Sequence, residues 1–166
     1  MRIFYAVNFK EEIKELIYQE ILKVNDKNLA SFTRKENIHL TIYFVGEIDK
    51  MKLDYYIEVL SNIKFNKFEI EVEEFDFFKK KDGKIWFLKV KENLILGDIY
   101  KQITKKLSLS QTNYIPHITL ARRLKNSQFI LKSNLTSLKI EVDSISLMES
   151  RFVNNKIAYI EIASKH

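Results

Sequence analysis

The sequence predicts an α+β fold in which two similar lobes of antiparallel sheet carry helices on their outer faces. Strand-like and helix-like segments alternate along the whole chain, and in each half a helix-like segment precedes a strand with a His-x-Thr sequence. The first copy is His39-Leu40-Thr41-Ile42 and the second is His117-Ile118-Thr119-Leu120. This order of elements indicates two lobes related by an approximate twofold axis, with both motifs facing an active-site cleft between them.

The composition limits the size and the chemistry of the protein. A chain of 166 residues can bury a core of its own, and we expect residues 1–166 to form a single bilobal domain. The absence of cysteine excludes disulfides, thiolate metal sites and a cysteine nucleophile. No apolar run approaches the length of a membrane span, and the N-terminal apolar stretch is too short for a signal peptide. We therefore expect a cytoplasmic protein.

The charge of the chain favours a polyanionic partner. Lysine and arginine number 28 against 22 acidic residues, which gives a formal net charge of +6. Such a balance attracts polyanions such as RNA over long range, although many basic proteins bind no nucleic acid.

The first half of the chain is predicted to be strand, helix, strand and helix. Residues 2–7 are rich in aromatic and β-branched side chains, which favours a strand. Asn8 can cap the next helix, with Glu11 three residues on, and residues 38–45 form the second strand. Asp49 can cap the second helix. Both helices show apolar residues at helical spacing: Ile13, Leu16, Ile17, Ile21 and Val24 in the first, and Leu53, Ile57 and Leu60 in the second.

The second half begins with a predicted hairpin. Residues 68–78 and 84–90 flank Asp82-Gly83, a dipeptide that suits the positive φ angles of a tight turn. Three further features complete the prediction: a helix marked by Leu96, Ile99, Ile103 and Leu107, a strand at residues 115–122, and a final pair of strands at 138–148 and 157–162.

Strand geometry gives the repeated motif a chemical meaning. Alternate residues of a strand face the same side, so His39 and Thr41 share one face and Leu40 takes the other. His117 and Thr119 share a face in the same way. Two imidazoles with ordinary pKa values of about 6.5 can be one neutral and one protonated near neutral pH. A paired general base and general acid needs that combination, without a metal or a cofactor.

Two other interpretations of the histidines compete with catalysis. A single His-x-Thr on a strand is more often a hydrogen-bonded packing element, but two matched copies among three histidines are rare by chance. A zinc site needs at least a third ligand, and no spacing in the sequence picks one out. Catalysis is therefore the favoured interpretation.

The doubled motif, together with its neighbours, resembles the two-histidine (2H) phosphoesterase superfamily. The surrounding sequence is similar to its LigT-like branch, the RNA 2′,3′-cyclic phosphodiesterases that are also called 2′-5′ RNA ligases. The resemblance covers most of the chain and lies in residues 3–7, 36–41, 44–47 and 116–122, with a weaker likeness at 147–151.

This resemblance implies roles for five residues. His39 would donate a proton to the leaving ribose 3′ oxygen, and His117 would be the base that activates water. Thr41 and Thr119 would hydrogen-bond the phosphate oxygens, and Arg122 would add a fixed positive charge. Strand alternation puts Arg122 on the face opposite His117, so its reach into the cleft requires the strand to twist or end there.

The resemblance also implies a substrate. The protein would be a monomer that acts on RNA ends or nucleotides with a 2′,3′-cyclic phosphate and leaves a 2′-phosphomonoester, without a cofactor. The reverse reaction, 2′-5′ RNA ligation, would be secondary. Two alternatives stay open: a non-catalytic RNA-binding module, and a phosphodiesterase for another cyclic phosphate such as an ADP-ribose derivative.

Two surface features have open roles in RNA binding. A group of lysines at the hairpin tip could contact RNA phosphates or form a solvated turn: Lys79, Lys80, Lys81 and Lys84. Tyr43 lies on the face of His39 and could stack on a base or pack at the rim of the cleft.

Overall fold

The computed structural model describes residues 1–110, 112–126 and 133–166. Within those ranges nine strands form one sheet, accompanied by three α-helices. The strands are β1 Arg2–Asn8, β2 Ser31–Phe32, β3 His39–Glu47, β4 Phe68–Lys80, β5 Gly83–Val90, β6 His117–Leu124, β7 Lys139–Val142, β8 Ile145–Val153 and β9 Lys156–Lys165. The helices are α1 Glu11–Leu22, α2 Leu53–Ser61 and α3 Leu94–Lys106.

The order of the strands is symmetric about its middle. It runs β7-β4-β5-β6-β3-β1-β8-β9, with β2 beside β6, and all pairings are antiparallel. We name the half with β3, β1, β8 and β9 the His39 lobe, and the half with β6, β5, β4 and β7 the His117 lobe. The innermost strand of each half begins with its histidine. The structure thus confirms the predicted α+β class with two antiparallel lobes.

The aliphatic residues between each histidine and threonine anchor the inner strands. Leu40 and Ile118 are the residue pair that joins β3 to β6, and both are completely buried. They belong to one continuous core with buried side chains of both lobes, such as Ile17 and Ile99. Burial of such a side chain stabilises the fold by about 1.5–3 kcal/mol, so this face points inward and the histidines point away from it.

The helix starts differ from the predicted ones. Asn8 does not cap α1, as it still lies in β1 and its amide donates to the Glu161 carboxylate at 3.0 Å. α1 begins at Glu11 without a side-chain cap. Asp49 accepts a hydrogen bond from the Met51 amide at 3.0 Å and caps a 3-10 turn that leads into α2. In the ranges described above, no helix is long and apolar enough to cross a membrane.

The predicted hairpin is present, with its turn one residue earlier than expected. Lys81 and Asp82 form the two-residue turn, and Gly83 begins β5 with φ +123°. A Cβ atom on Gly83 would lie 2.9 Å from the carbonyl carbon of Arg123 in the neighbouring strand. Glycine is therefore required here by both backbone angle and space.

The predicted strand at 138–148 is wrong, because this segment forms two strands in different lobes. β7 pairs with β4 in the His117 lobe, and β8 pairs with β1 in the His39 lobe. The chain crosses between them at Asp143 and Ser144, where Asp143 accepts a hydrogen bond from Lys10 at 2.8 Å. The sequence pattern stays strand-like through the crossing, since it records local preference and not the partner strand.

Candidate active site

The two His-x-Thr motifs meet where β3 and β6 touch. Leu40 lies opposite Ile118 in antiparallel register. Continued by one residue on each side, this register sets His39 opposite Thr119 and Thr41 opposite His117. The two histidines are then diagonal neighbours on the face away from the core, a relation that separates residues by about 7–8 Å. That spacing suits two groups that act on opposite sides of one phosphorus atom.

The tautomer of His39 is fixed by the backbone just before it. Nδ1 of His39 lies 2.7 Å from the carbonyl oxygen of Asn37, and Nε2 lies 2.9 Å from the hydroxyl oxygen of Thr41. A carbonyl oxygen only accepts, so Nδ1 carries the hydrogen and the neutral ring has its lone pair on Nε2. The Thr41 hydroxyl therefore donates to Nε2.

His117 repeats this arrangement. Its Nδ1 donates to the carbonyl oxygen of Ile115 at 2.7 Å, again two residues earlier in the chain. Its Nε2 is the basic nitrogen of the neutral ring for the same reason. Each imidazole is also packed between two aromatic rings whose centroids lie 4.9–5.1 Å from its own: Phe4 and Tyr159 around His39, and Phe78 and Phe87 around His117.

Both imidazoles favour the neutral form. Burial lowers the pKa of His39 to about 4; the hydrogen bond to Asn37 opposes this effect, and the charges of Arg122, His117 and Lys14 add to it. Burial also lowers the pKa of His117, again with a contribution from Arg122. The positive charge of Arg122 thus disfavours a proton on both rings. A bound anion would act in the opposite direction and favour a proton on either ring.

Arg122 reaches the cleft because β6 contains a β-bulge. Thr119 and Ala121 pair with adjacent residues of β5, so Leu120 is an extra residue in β6. Leu120 and Ala121 are both buried, and the two residues after them, Arg122 and Arg123, are both exposed. Arg122 thus lines a cavity together with His39 and Thr41. The conflict between strand alternation and a role for Arg122 is resolved by this one inserted position.

β3 contains a matching bulge directly after its own motif. Thr41 and Tyr43 pair with adjacent residues of β1, which leaves Ile42 as the extra residue. Tyr43 then packs against Tyr100, with ring centroids 5.9 Å apart, while Phe44 is 52% exposed. Phe44 occupies the position in the His39 lobe that Arg122 occupies in the His117 lobe. Tyr43, which strand alternation places on the face of His39, also lines the cleft, but Phe44 is the more exposed of the two rings.

Two adjoining cavities make up the cleft. The first, which we name the His39 cavity, has a volume of about 340 Å³ and is lined by Arg2, Phe4, His39, Thr41, Phe44, Arg122, Ser150, Ile157 and Tyr159. The second, the His117 cavity, has a volume of about 510 Å³ and is lined by Thr41, Ile42, Tyr43, Phe44, Phe78, Lys80, Tyr100, Thr112, Asn113, Tyr114, Ile115 and His117. Thr41 and Phe44 border both, so the cavities are continuous.

Four of the five predicted site residues line this cleft. Thr119 is half-buried and lines neither cavity, and its carbonyl oxygen accepts a hydrogen bond from the Thr33 hydroxyl at 3.0 Å. The sequence analysis did not identify Arg2 and Phe44 as site residues. Arg2 could have been found, because it shares a face of β1 with Phe4, which also lines the His39 cavity. In the part of the chain that the structure describes, no group of three or more His, Asp or Glu could hold a metal ion.

This chain is similar to known proteins in both sequence and fold. A family model described as LigT like Phosphoesterase matches residues 7–86. The RNA 2′,3′-cyclic phosphodiesterase of Thermotoga maritima is 31% identical over 130 residues, which cover 74% of this chain and 70% of the relative. The protein of that name from Methanocaldococcus jannaschii is 32% identical over 130 residues, or 74% and 71% of the two chains. A crystal structure of E. coli LigT complexed with 3′-AMP superposes with a TM-score of 0.83 at 20% identity and covers 99% of this chain and 96% of that one.

Proposed function

Since this chain belongs to the LigT-like phosphoesterases, as its sequence indicated, we propose that it is an RNA 2′,3′-cyclic phosphodiesterase. It hydrolyses the cyclic phosphate at an RNA end to a 2′-phosphomonoester. The observation that carries this proposal is the pair of imidazoles at one cleft, each tied through Nδ1 to a backbone carbonyl at 2.7 Å, beside the Arg122 guanidinium.

The proposed reaction is an in-line displacement at phosphorus. A water oxygen forms a new bond to phosphorus while the bond to the ribose 3′ oxygen breaks. His117 Nε2 takes a proton from the attacking water, and protonated His39 Nε2 gives a proton to the departing 3′ oxygen. Arg122 and the hydroxyl of Thr41 would stabilise charge on the phosphate oxygens, a contribution that grows in a site shielded from water. The same role for Thr119 would require its hydroxyl to reach the phosphate from a half-buried position that lines neither cavity.

The low pKa of His39 constrains when it becomes the acid. With a pKa of about 4 in the protein alone, His39 is neutral at neutral pH, with its proton on Nδ1 and none on Nε2. A bound phosphate anion raises the pKa of a neighbouring imidazole, because it favours the positively charged form. We therefore propose that binding of the substrate raises the pKa of His39 enough for its Nε2 to take up a proton. The two acid–base groups titrate as a coupled pair, and the pH profile of turnover is bell-shaped.

The test is an assay on a short RNA that ends in a 2′,3′-cyclic phosphate. Phosphorus NMR of the product reads whether the phosphate remains on the 2′ oxygen. We expect His39→Ala and His117→Ala each to lower kcat by about 10²–10⁴-fold, the usual scale of general acid or base catalysis. EDTA is expected to leave turnover intact. Full activity in either variant, or a 3′-phosphate product, would contradict the proposal.

The proposal has three further parts. With the 5′-hydroxyl of a second RNA in place of water, the same two histidines would form a bond from phosphorus to that 5′ oxygen while the bond to the 3′ oxygen breaks, which joins the two ends through a 2′-5′ linkage. Residues 1–166 act as one bilobal domain and as a monomer, which size-exclusion chromatography with light scattering tests. The enzyme works in the cytoplasm. A chain without cysteine has no disulfide bonds that this reducing compartment could break.

A further inference from the structure

We propose that Lys14 is a positioning residue for His39, one that fixes the turn whose backbone carbonyl holds the imidazole. Lys14 lies in α1 and lines neither cavity of the cleft. The inference rests on the proposed function, because it names a residue that prepares the acid of that reaction. The ammonium group of Lys14 acts in two ways: it anchors the turn before His39, and it adds a fixed positive charge near the imidazole.

Lys14 occupies a position on α1 where an apolar side chain is the ordinary choice. It is 7% exposed and lies on the same face as Ile17 and Ile21, three and seven residues further on, which are core residues. Lysine is almost never buried to this extent without a partner, since its ammonium group loses hydration. Packing alone would favour an apolar residue, because apolar replacements of buried ions are often neutral or stabilising. The buried ammonium group therefore indicates a role other than packing.

The contacts of this ammonium group lead to the segment before His39. It donates to the backbone carbonyl oxygen of Glu36 at 3.2 Å. Its ion-pair partner, the Glu11 carboxylate, is 69% exposed and 3.7 Å away, which is too long for a good hydrogen bond. Glu36 belongs to the 3-10 turn Lys35–Asn37, which comes directly before β3. The main interaction of Lys14 is thus with this turn and not with an acid.

The anchored carbonyl is one peptide away from the acceptor of the imidazole. The carbonyl of Glu36 and the nitrogen of Asn37 belong to one planar peptide group. The next carbonyl, that of Asn37, accepts from His39 Nδ1 at 2.7 Å, and the Asn37 side chain is bonded to β9. Asn37 is therefore held by α1 on one side and by β9 on the other. A rotation of the turn would move Nε2 of His39 relative to the phosphate.

The His117 lobe has no equivalent of this anchor. Among the described lysines, Lys14 is the one that is buried. In α3, the helix that precedes β6, the buried polar residue is Thr104, and its hydroxyl donates to the carbonyls of Tyr100 and Lys101 in its own helix. The anchor thus belongs to the lobe of the proposed acid alone.

The charge of Lys14 also acts on the imidazole. Burial is the largest cause of the low pKa of His39, and the charges of Arg122, His117 and Lys14 add to it. A fixed cation in this place helps to keep Nε2 without a proton until a phosphate anion binds. The other charged side chains near Lys14 lie in ion pairs at the surface: Lys35 with Glu11 and Glu15, and Arg34 with Glu36.

The experiment removes the ammonium group and compares turnover with the titration of His39. Lys14→Met keeps a long side chain and loses both the donor and the charge. We expect kcat on an RNA that ends in a 2′,3′-cyclic phosphate to fall about 10- to 100-fold, the scale of a misplacement by about 1 Å, with KM changed less than about threefold. The pKa of His39 in the free protein, read by NMR, should rise above about 4. Tm should not fall, because an apolar side chain replaces a buried ion.

Two further variants separate the hydrogen bond from the charge. Lys14→Arg keeps donors and charge, and kcat should recover to within about fivefold of the wild type. Lys14→Gln keeps an N–H donor without the charge, so its kcat should exceed that of Lys14→Met while the pKa of His39 stays raised. Lys35→Met is the matched control, because Lys35 lies in the same turn but its ammonium group pairs with the Glu15 carboxylate at 3.1 Å. It should leave kcat and the pKa of His39 unchanged.

The outcomes can be told apart. A kcat of Lys14→Met within about twofold of the wild type would overturn the positioning role. A loss of kcat that follows a loss of Tm, without recovery in Lys14→Arg, would make Lys14 a structural residue only. An equal rise in the pKa of His39 in Lys14→Met and Lys35→Met, or no rise in either, would overturn the role of the charge. If the wild type hydrolyses no RNA cyclic phosphate, the proposed function fails, and the NMR titration still tests Lys14 because it needs no substrate.

Discussion

The His39 and His117 lobes place a histidine in the same local arrangement within different surroundings. In both, the histidine opens the innermost strand, donates through Nδ1 to the carbonyl two residues earlier, and packs between two aromatic rings. In both, a bulge follows the threonine. The two copies of the motif therefore place an imidazole at the same position and in the same tautomer, whereas the residues around it differ between the lobes.

The main difference lies in the residue whose carbonyl holds each imidazole. Asn37 is buried, and its side chain bridges to β9 by donating to the Ile157 carbonyl at 2.9 Å and accepting from the Tyr159 amide at 3.1 Å. Its counterpart, Ile115, is exposed and offers no such bridge. His39 is thus held by two strands through Asn37, and His117 by its own segment alone. The equivalent residues Asn37 and Ile115 therefore differ in whether they connect the histidine to a neighbouring strand.

The largest expected effect separates the acid from the base. In a cyclic substrate whose leaving 3′ oxygen is replaced by sulfur, the departing thiolate needs no proton, since a thiol has a pKa of about 8.5. His39→Ala, which should lose about 10²–10⁴-fold on the oxygen substrate, is expected to recover to within about tenfold of the wild type on the sulfur substrate. His117→Ala should lose a similar factor on both. Single-turnover rates with the two substrates measure this.

The opposite pattern, with recovery in His117→Ala, would exchange the roles of the two histidines. Equal loss in all four combinations would mean that neither ring acts as a specific acid. The first result would change only which lobe faces the leaving group, and the second would remove the proposed acid.

The face of each motif could be predicted from the sequence, because alternation along a strand is a local property. His39 and Thr41 occupy one face and Leu40 the other, as expected. The position of Arg122 could not be predicted, since the bulge at Leu120 arises from how β6 pairs with β5, which is distant in sequence. Local pattern carries no information on such an inserted residue.

Two further features of the site depend on contacts between distant segments. Asn37 lies two residues before His39, but its bridge reaches residues 120 and 122 positions later. The break between β7 and β8 at Asp143 could not be predicted from the sequence either. The residues on both sides favour a strand, and the two strands differ only in their partner. The sequence predicted the repeated unit, and the pairing of strands decided how the two copies differ.

An effect of intermediate size is expected when the hydrogen bonds between Asn37 and β9 are removed. Asn37→Ala removes two partly buried hydrogen bonds to β9, which together should lower the free energy of unfolding by about 1–3 kcal/mol. Because burial dominates the low pKa of His39, a loosened ring should show a pKa closer to 6.5 in an NMR titration. We expect kcat to fall more than KM rises, since the ring is misaligned and phosphate binding is kept.

Ile115→Ala is the matched control in the His117 lobe. His117 donates to the backbone of residue 115, so truncation of an exposed side chain should leave its pKa and kcat within about twofold of the wild type. Asn37→Asp keeps the acceptor for the Tyr159 amide and loses the donor to Ile157, and should fall between wild type and Asn37→Ala. Identical behaviour of the Asn37 and Ile115 variants would show that the bridge has no positioning role.

The last prediction concerns the pH dependence of stability. The folded pKa of His39 is about 4 and the unfolded value is about 6.5, so between these values the unfolded chain binds more protons. Stability therefore falls as the pH drops from 6.5 to 4, by at most about 1.4 kcal/mol per pH unit for each such histidine. The pKa of His117 is lowered too, but its ring feels the charge of Arg122 and not of Lys14. Urea unfolding at pH 7 and pH 5 should show that His39→Gln removes more of this slope than His117→Gln, and equal slopes in the two variants would contradict the electrostatic difference between the lobes.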